Sequence, residues 1–370
     1  MCQFHVSQMF ALPGKRYLMS PIGYWHVPLV GLLCLGGLAP AQAARPSLAE
    51  AVKKVNSKYL NAPETGPVDK SPKIEVGGSE EGSRPGATEI SSGPLRVTVT
   101  YVEEPQPGEM QPLCSPVVTV YLNDANAKAD KGQTEGGRQT ADTTSPAGSR
   151  VVAKLESDSL LSDQPLSVQI AELDPSNHYP EVVVSFFTGG AHCCSDTSVV
   201  TSSSDGAAWE TVDVGEFDGG PKLADDLDGD GVYEFGLRDD AFLYAFGCYA
   251  CSEAPLQVLA LKGGEVEDVS TEARFRPAHA AWLREMIEFV PDDEPNGFLA
   301  GYVGEKIRLG EGKEAWDLML KYYDHTSDWG LDICNRELNE NGDCPGRTVK
   351  VTFAEALERM LNESGYKIGD

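Results

Sequence analysis

The sequence is poor in positive charge. Its 370 residues include 30 lysines and arginines against 57 aspartates and glutamates, a formal net charge of −27. Nucleic acids and anionic lipid surfaces bind proteins through an excess of lysine and arginine, so this deficit argues against both as partners. A surface of this sign instead attracts divalent cations and basic partners.

Beyond the N-terminus, the sequence has no apolar run that approaches the length of a membrane-spanning helix. Residues 1–43 have the features of an export signal: two basic residues are the only charges, and an apolar run at 27–38 precedes the small-x-small site Ala41-Gln42-Ala43. About a dozen apolar residues, interrupted by glycine, are short for a membrane anchor. We therefore predict cleavage before Ala44 and a periplasmic or secreted protein with no stable membrane span.

Familiar catalytic signatures are absent as well: there is no nucleophile elbow, zinc-protease helix or phosphate-binding loop. The polar and aromatic stretch 322–329 contains Asp324 and His325 and could line a sugar or peptide cleft. It is the basis of one alternative, a periplasmic or secreted hydrolase acting on cell-wall or carbohydrate substrates. Consecutive residues on a helix point in different directions, which argues against a catalytic pair. A non-enzymatic module is favoured.

The sequence does contain a compact acidic loop, which runs from Asp226 to Glu234. Calcium binds six to eight oxygen ligands, and carboxylates at alternating positions of a tight turn point inward to form such a shell. The predicted ligands are three aspartates, one backbone carbonyl and a closing glutamate: Asp226, Asp228, Asp230, Val232 and Glu234. Gly231 supplies the turn. An EF-hand is excluded because its twelfth position, which requires glutamate, is Leu237.

This loop resembles the calcium hairpins of FG-GAP and VCBS-type repeats, the units of integrin-α-like β-propellers and of many exported bacterial proteins. The resemblance implies Ca²⁺ as the cofactor, bound by the five residues just given, and it covers residues 165–270. Glu234 departs from the pattern, in which aspartate is usual at the last ligand position. A merely acidic turn is the alternative interpretation.

An internal repeat supports this resemblance. Residues 172–184 align with the acidic loop and its strand, and cysteines and a turn dipeptide follow each copy in the same order at offsets of 54 to 58 residues. The first copy is degenerate and is predicted to be a weak or absent calcium site; its corresponding residues are Glu172, Asp174, Ser176 and Glu181. Two copies with the strands from 95 to 155 cannot close a propeller. We therefore predict a mainly β fold, either an incomplete β-propeller or sandwich-like sheets.

Seven of the nine cysteines remain after signal cleavage, which in an oxidising compartment predicts three disulfides and one free thiol. Cys334 and Cys344 bracket a polar turn and are predicted to pair. The other candidates are Cys193, Cys194, Cys248, Cys251 and Cys114. Adjacent cysteines rarely bond each other without strain, so we expect partners elsewhere. The alternative is a transition-metal or redox site made by His192 with the clustered cysteines.

The chain divides into four predicted segments: a signal peptide at 1–43, a short helix and disordered linker at 44–94, a β-repeat domain at 95–271, and a disulfide-stapled α-helical region at 272–370. Ser47 and Glu50 mark the start of the short helix, and Thr352 and Glu355 mark the last helix, which Gly365 ends. The expected function is a calcium-binding module for an unidentified protein or glycan partner at the cell surface or in the periplasm.

Overall fold

The computed structural model describes residues 46–60, 69–76, 88–104, 113–123, 148–157, 165–190, 193–336, 339 and 344–369. The predicted signal peptide and His192 lie outside these residues. In the described parts the helices are α1 Leu48–Val55, α2 Ser57–Leu60, α3 Arg276–Met286, α4 Asn296–Arg308, α5 Gly312–Tyr322 and α6 Phe353–Glu363. The strands are β1 Lys73–Val76, β2 Thr88–Ser92, β3 Leu95–Glu104, β4 Leu113–Asn123, β5 Ser149–Glu156, β6 Leu166–Ala171, β7 Glu181–Phe187, β8 Ser195–Ser202, β9 Trp209–Phe217, β10 Phe235–Arg238, β11 Leu256–Lys262, β12 Glu265–Asp268, β13 Asp332–Cys334 and β14 Thr348–Lys350.

These strands form four small antiparallel sheets. Their orders are β2-β3-β4-β5, β1-β6-β7-β8-β9, β10-β11-β12 and β13-β14. No closed barrel forms among the strands that the structure describes. The chain is therefore mainly β, with its long helices at the C-terminal end. This agrees with the fold class predicted from the sequence.

The sheets stack as layers because their central strands are apolar on both faces. In β7, Val182 and Val184 pack against the β2-β5 sheet, whereas Val183 points to the other face and packs with Phe235 and Leu259 of the three-stranded sheet. The buried amide of Gln169 strengthens this second contact, since it donates to the carbonyl of Ala224 and accepts from its N–H, both at 2.8 Å.

The third layer also has two buried faces. Val258 and Ala260 of β11 point away from the five-stranded sheet and pack with Phe275 and Trp282. The indole Nε1 of Trp282 donates to the carbonyl of Ala254 at 2.9 Å, so the middle of α3 is fixed to the segment before β11 by a hydrogen bond as well as by apolar contact. The helices thus form the fourth layer.

The N-terminal helix α1 packs on this helical layer. Its predicted capping box is confirmed, since the Ser47 hydroxyl accepts from the N–H of Glu50 and the Glu50 carboxylate accepts in return. Val52 is fully buried in the helical core. Asn56 donates to the Tyr302 hydroxyl at 2.9 Å. Local sequence gives the helix, but only tertiary packing gives its docking site.

The linker prediction for 44–94 is wrong in part, because β1 and β2 both lie within it. β1 pairs with β6 and buries Ile74, and β2 pairs with β3. Composition failed here because an edge strand takes its order from the sheet it joins and needs few apolar residues of its own. At the other end of the chain, the capping box of Thr352 and Glu355 and the left-handed Gly365 after α6 are confirmed.

Candidate functional site

The acidic loop connects the end of the five-stranded layer to β10. Its ends meet at an isolated bridge, where Asp225 and Glu234 exchange two backbone hydrogen bonds of 2.9 Å. Between them, Gly229 and Gly231 have φ values of +83° and +92°, which an L side chain rarely adopts. These two glycines let the backbone turn sharply enough for alternate side chains to face one another.

The turn brings three carboxylates together. One oxygen from each of Asp226, Asp228 and Asp230 lies within 4.8 Å of the other two, the one such group of metal-ligand side chains in the described residues. Calcium binds oxygens at about 2.3–2.6 Å, so ligands on opposite sides of the ion are about 5 Å apart. The spacing and the oxygen-only donor set both fit a calcium ion.

Backbone N–H groups hold these aspartates in place. Asp226 accepts from Gly229 at 2.8 Å and from Gly231 at 3.1 Å. Asp228 accepts from the N–H of Asp230 at 3.1 Å, and Asp230 accepts from that of Val232 at 2.8 Å. Each of the last two carboxylates uses its Oδ1 in this way, which leaves the Oδ2 atoms of Asp228 and Asp230 available to a cation.

Arg274 supplies that cation. Its Nη1 lies 2.9 Å from Oδ2 of Asp228, 3.1 Å from Oε1 of Glu234 and 3.6 Å from Oδ2 of Asp230. Burial opposes its charge, but hydrogen bonds to Glu272 and Asp228 outweigh it and raise the pKa of Arg274. Sequence reasoning missed this residue because it lies forty residues beyond the loop and no local pattern connects the two.

Glu234 lies at the end of the loop, on its buried side. Its side chain is fully buried, and its Oε2 accepts from the N–H of Leu227 at 3.3 Å. Burial raises the pKa of Glu234 to about 7, against the opposing effects of that hydrogen bond and of Arg274. A buried carboxylate of this kind is most stable when a cation lies beside it. Ligation by its carboxylate and by the carbonyl of Val232 stays a prediction.

The degenerate copy forms a similar loop that contains no charged donor. Glu181 is fully buried and accepts from the N–H groups of Leu173 at 2.7 Å and Asp174 at 3.1 Å, and from the side chains of Asn177 and Thr201. Ser176 donates its N–H to the Asp174 side chain, and the backbone carbonyl of Glu172 accepts the N–H of Tyr233 at 2.8 Å, so the two loops are adjacent.

The structure joins Cys334 with Cys344, Cys248 with Cys251, and Cys193 with Cys194. The last two pairs differ from the expectation of distant partners. Cys248 accepts a backbone hydrogen bond from Cys251, and their Cα atoms are 4.9 Å apart, within disulfide range. The loop before Cys194 is closed locally as well, since Thr188 donates its N–H to the Cys194 carbonyl.

The remaining thiol candidate, Cys114, lies in β4. The metal or redox interpretation depends on His192, which lies outside the described residues, and it stays a hypothesis.

The Asp324-His325 segment forms a turn. Asp324 accepts from both the N–H and the hydroxyl of Thr326 at 2.7 Å, and its backbone N–H donates to the Asn296 side chain at 2.8 Å. The His325 ring contacts that of Tyr323 in a tilted arrangement, with ring centroids 3.9 Å apart. These contacts give both residues structural roles in the turn, and the hydrolase interpretation stays a hypothesis.

Comparison with known proteins finds one family model that matches the helical layer and two relatives that are similar over more than half of the chain. Residues 279–365 match the model of the sll0997 C-terminal domain. The "Probable thylakoid lumen protein sll0997" of Synechocystis sp. is 42% identical over 225 residues, which cover 59% of this chain and 65% of that protein. "Uncharacterized protein y4bJ" of Sinorhizobium fredii is 35% identical over 207 residues, covering 54% of this chain and 32% of that protein.

The chain thus spans less than two thirds of the length of either relative. No solved structure matches the chain. Among the described residues, none of the helices has both the length and the apolar character needed to cross a bilayer.

Proposed function

We propose that this chain is an exported calcium-binding β-repeat protein that acts as a binding or structural module. The observation that carries the proposal is the oxygen cluster of Asp226, Asp228 and Asp230, with one oxygen of each within 4.8 Å of the others. The two Oδ2 atoms that the backbone leaves free already face a cationic group, Arg274. A divalent oxygen-seeking ion suits this set better than a thiol-seeking metal.

The layered sheets support an architecture of FG-GAP or VCBS type. Each copy of the repeat consists of an acidic loop and then three antiparallel strands, β7-β8-β9 in the first and β10-β11-β12 in the second. The two sets pack face to face, as successive blades of a propeller do. On this basis we interpret the β layers as an incomplete propeller domain that begins with β1 and β2 and ends near residue 271, followed by a helical region at 272–370.

In this proposal calcium has a structural role. The loop lies where three parts of the molecule meet: the first repeat, through the hydrogen bond from Tyr233 to Glu172; β10; and the turn before α3, through Arg274. A bound ion would fix these parts relative to one another and so hold the neighbouring loops in one arrangement. Rigid loops at the end of stacked sheets suit recognition of a protein or glycan partner.

An exported location agrees with the export signal predicted at 1–43 and with the thylakoid lumen named in the description of the cyanobacterial relative. The periplasm, the cell exterior and a lumen of that kind are all compartments reached by export. Calcium is available there, and disulfides such as the one between Cys334 and Cys344 persist in oxidising compartments.

Thermal unfolding of residues 44–370 tests the proposal. Ligand binding to the folded state raises the melting temperature with the logarithm of the ligand excess over its dissociation constant. Calcium is expected to raise the melting temperature of the wild-type chain relative to chelator, and to have no effect on Asp228→Ala. Asp213→Ala is the matched control, because Asp213 is an exposed carboxylate of β9 outside the loop. No calcium effect on wild type would contradict the proposal.

A further inference from the structure

We propose that Arg274 is a tethered competitor of calcium, which sets the calcium concentration at which the acidic loop fills. This inference rests on the proposed function, because it concerns the affinity of the same loop. Arg274 belongs to the short 3-10 turn Ala273–Phe275 that leads into α3, so it reaches the loop from a separate part of the chain. It contacts Asp228, Asp230 and Glu234, which lie on both sides of the turn at Gly231.

Arg274 and a calcium ion would use the same carboxylate oxygens. Arg274 Nη1 makes its short contacts with Oδ2 of Asp228 and Oε1 of Glu234, at 2.9 Å and 3.1 Å. The other oxygens of these two residues accept backbone hydrogen bonds from Asp230 and Leu227. A calcium ion would take the free oxygens at about 2.3–2.6 Å. A guanidinium and a calcium ion at these distances repel each other and compete for the same oxygens, so filling the loop favours displacement of the guanidinium.

The Arg274 guanidinium can move away from the loop while its backbone stays in place. The Arg274 side chain is 33% exposed, whereas the neighbouring Phe275 is fully buried and anchors the backbone. The guanidinium stacks on the Phe275 ring at 4.2 Å, and its Nε donates to Glu272 at 2.8 Å. Both contacts involve residues within two positions of Arg274 in sequence, so they can hold the side chain after it leaves the loop. Displacement is therefore a change of side-chain position within one turn, with the core undisturbed.

The acidic loop has more negative charge than Arg274 can neutralise. One guanidinium faces the four carboxyl groups of Asp226, Asp228, Asp230 and Glu234, and it contacts three of them. A single positive charge neutralises this cluster only in part, so a divalent ion still gains by replacing it. Arg274 then behaves as an internal ligand whose occupancy lowers the fraction of loops open to calcium. If it occupies about nine tenths of them, the apparent dissociation constant rises about tenfold.

Calorimetric titration with calcium chloride tests the inference at constant pH and ionic strength, using residues 44–370. Arg274→Gln removes the competing charge and is expected to bind calcium at least about tenfold more tightly than wild type. Arg274→Lys keeps a charge but loses the planar fork of donors, so an intermediate affinity is expected. Arg238→Gln is the matched control and is expected to bind like wild type, because Arg238 is 37% exposed and pairs with Glu253 at 3.1 Å.

The possible results distinguish competition by Arg274 from calcium binding by the acidic loop itself. Equal or weaker binding by Arg274→Gln, with Asp228-dependent binding in wild type, would overturn the inference and leave the calcium site standing. Binding by Arg274→Gln alone would support the inference and overturn calcium binding by wild type. Binding by neither protein would overturn both. Thermal unfolding in chelator reports whether Arg274→Gln is folded; if it is not, Arg274→Lys decides, and an affinity equal to that of wild type overturns the inference.

Discussion

The two acidic loops share one hydrogen-bonded frame and differ in what neutralises it. In each loop a fully buried glutamate accepts from a leucine N–H near the start of the loop: Glu181 from Leu173 and Glu234 from Leu227. In each loop an aspartate side chain also accepts from the backbone N–H two residues later. Asp174 accepts from Ser176 in the first loop, and Asp228 accepts from Asp230 in the second. The repeat detected in sequence is therefore a repeat of hydrogen bonds.

The loops differ in the side chains that donate hydrogen bonds to the buried glutamate. Oε1 of Glu181 accepts from the neutral side chains of Asn177 and Thr201, whereas Oε1 of Glu234 accepts from the cation Arg274. Neutral donors from within the fold leave the first loop complete without an ion. In the second loop the neutralising cation is Arg274, a side chain from a distant part of the sequence, and the proposal is that a metal cation can replace it. In the proposed function, the first loop therefore has a structural role and the second is the one that binds the ion.

The largest effect is expected from Glu181→Ala, which breaks the frame of the first loop. It leaves the N–H groups of Leu173 and Asp174 and the side chains of Asn177 and Thr201 without their shared acceptor. Unsatisfied buried donors predict a loss of about 2–4 kcal/mol in the free energy of unfolding. Denaturant unfolding measures it. The loss of unfolding free energy should be the same in calcium and in chelator. A loss seen only with calcium would indicate that the first loop binds the ion, which would contradict the proposal.

A pH dependence of stability tests the same glutamate. Burial raises the pKa of Glu181 from its usual 4.5 to about 7, so between these values the folded state binds more protons than the unfolded state. Stability from this group is complete below about pH 4.5 and is lost as the pH rises through 7, by up to about 3 kcal/mol. Denaturant unfolding across this range should show a smaller fall for Glu181→Gln than for wild type. Parallel curves would contradict the assignment.

Arg274→Gln sharpens the comparison in chelator. Without calcium, the variant leaves the buried carboxylates of Asp228 and Glu234 without their cation. Because Arg274 is partly exposed, a modest loss of about 1–2 kcal/mol in unfolding free energy is expected. Saturating calcium should restore most of it. A loss of the same size in Arg238→Gln, or no recovery with calcium, would show that charge at the loop is not the cause.

The smallest effect is expected from converting the first loop into a copy of the second. By the repeat alignment, Ser176→Asp with Asn177→Gly supplies the third carboxylate and removes the neutral donor to Glu181. On an Asp228→Ala background, high calcium should then raise the melting temperature by about 1–3 °C. An absence of any shift would mean that the carboxylate pattern is insufficient without further features of the second loop.

Short-range features of this protein could be predicted from sequence. The capping boxes at Ser47 and Thr352 were correctly predicted, as was the end of the last helix at Gly365, because each depends on residues at most four positions apart. The mainly β character followed by helices was also predictable, since apolar periodicity changes after Ser270. Strands β1 and β2 were missed because their order comes from the sheets they join.

For the candidate site, the division between sequence and tertiary structure is sharp. The sequence by itself determined which carboxylates face one another, because alternation around a Gly-turn is a local property of Asp226, Asp228 and Asp230. Only the tertiary structure decided that Arg274 is the cation beside them, because its position depends on Phe275 packing under β11. Local geometry follows from spacing along the chain, whereas the choice of a distant partner follows from how buried apolar surfaces fit together.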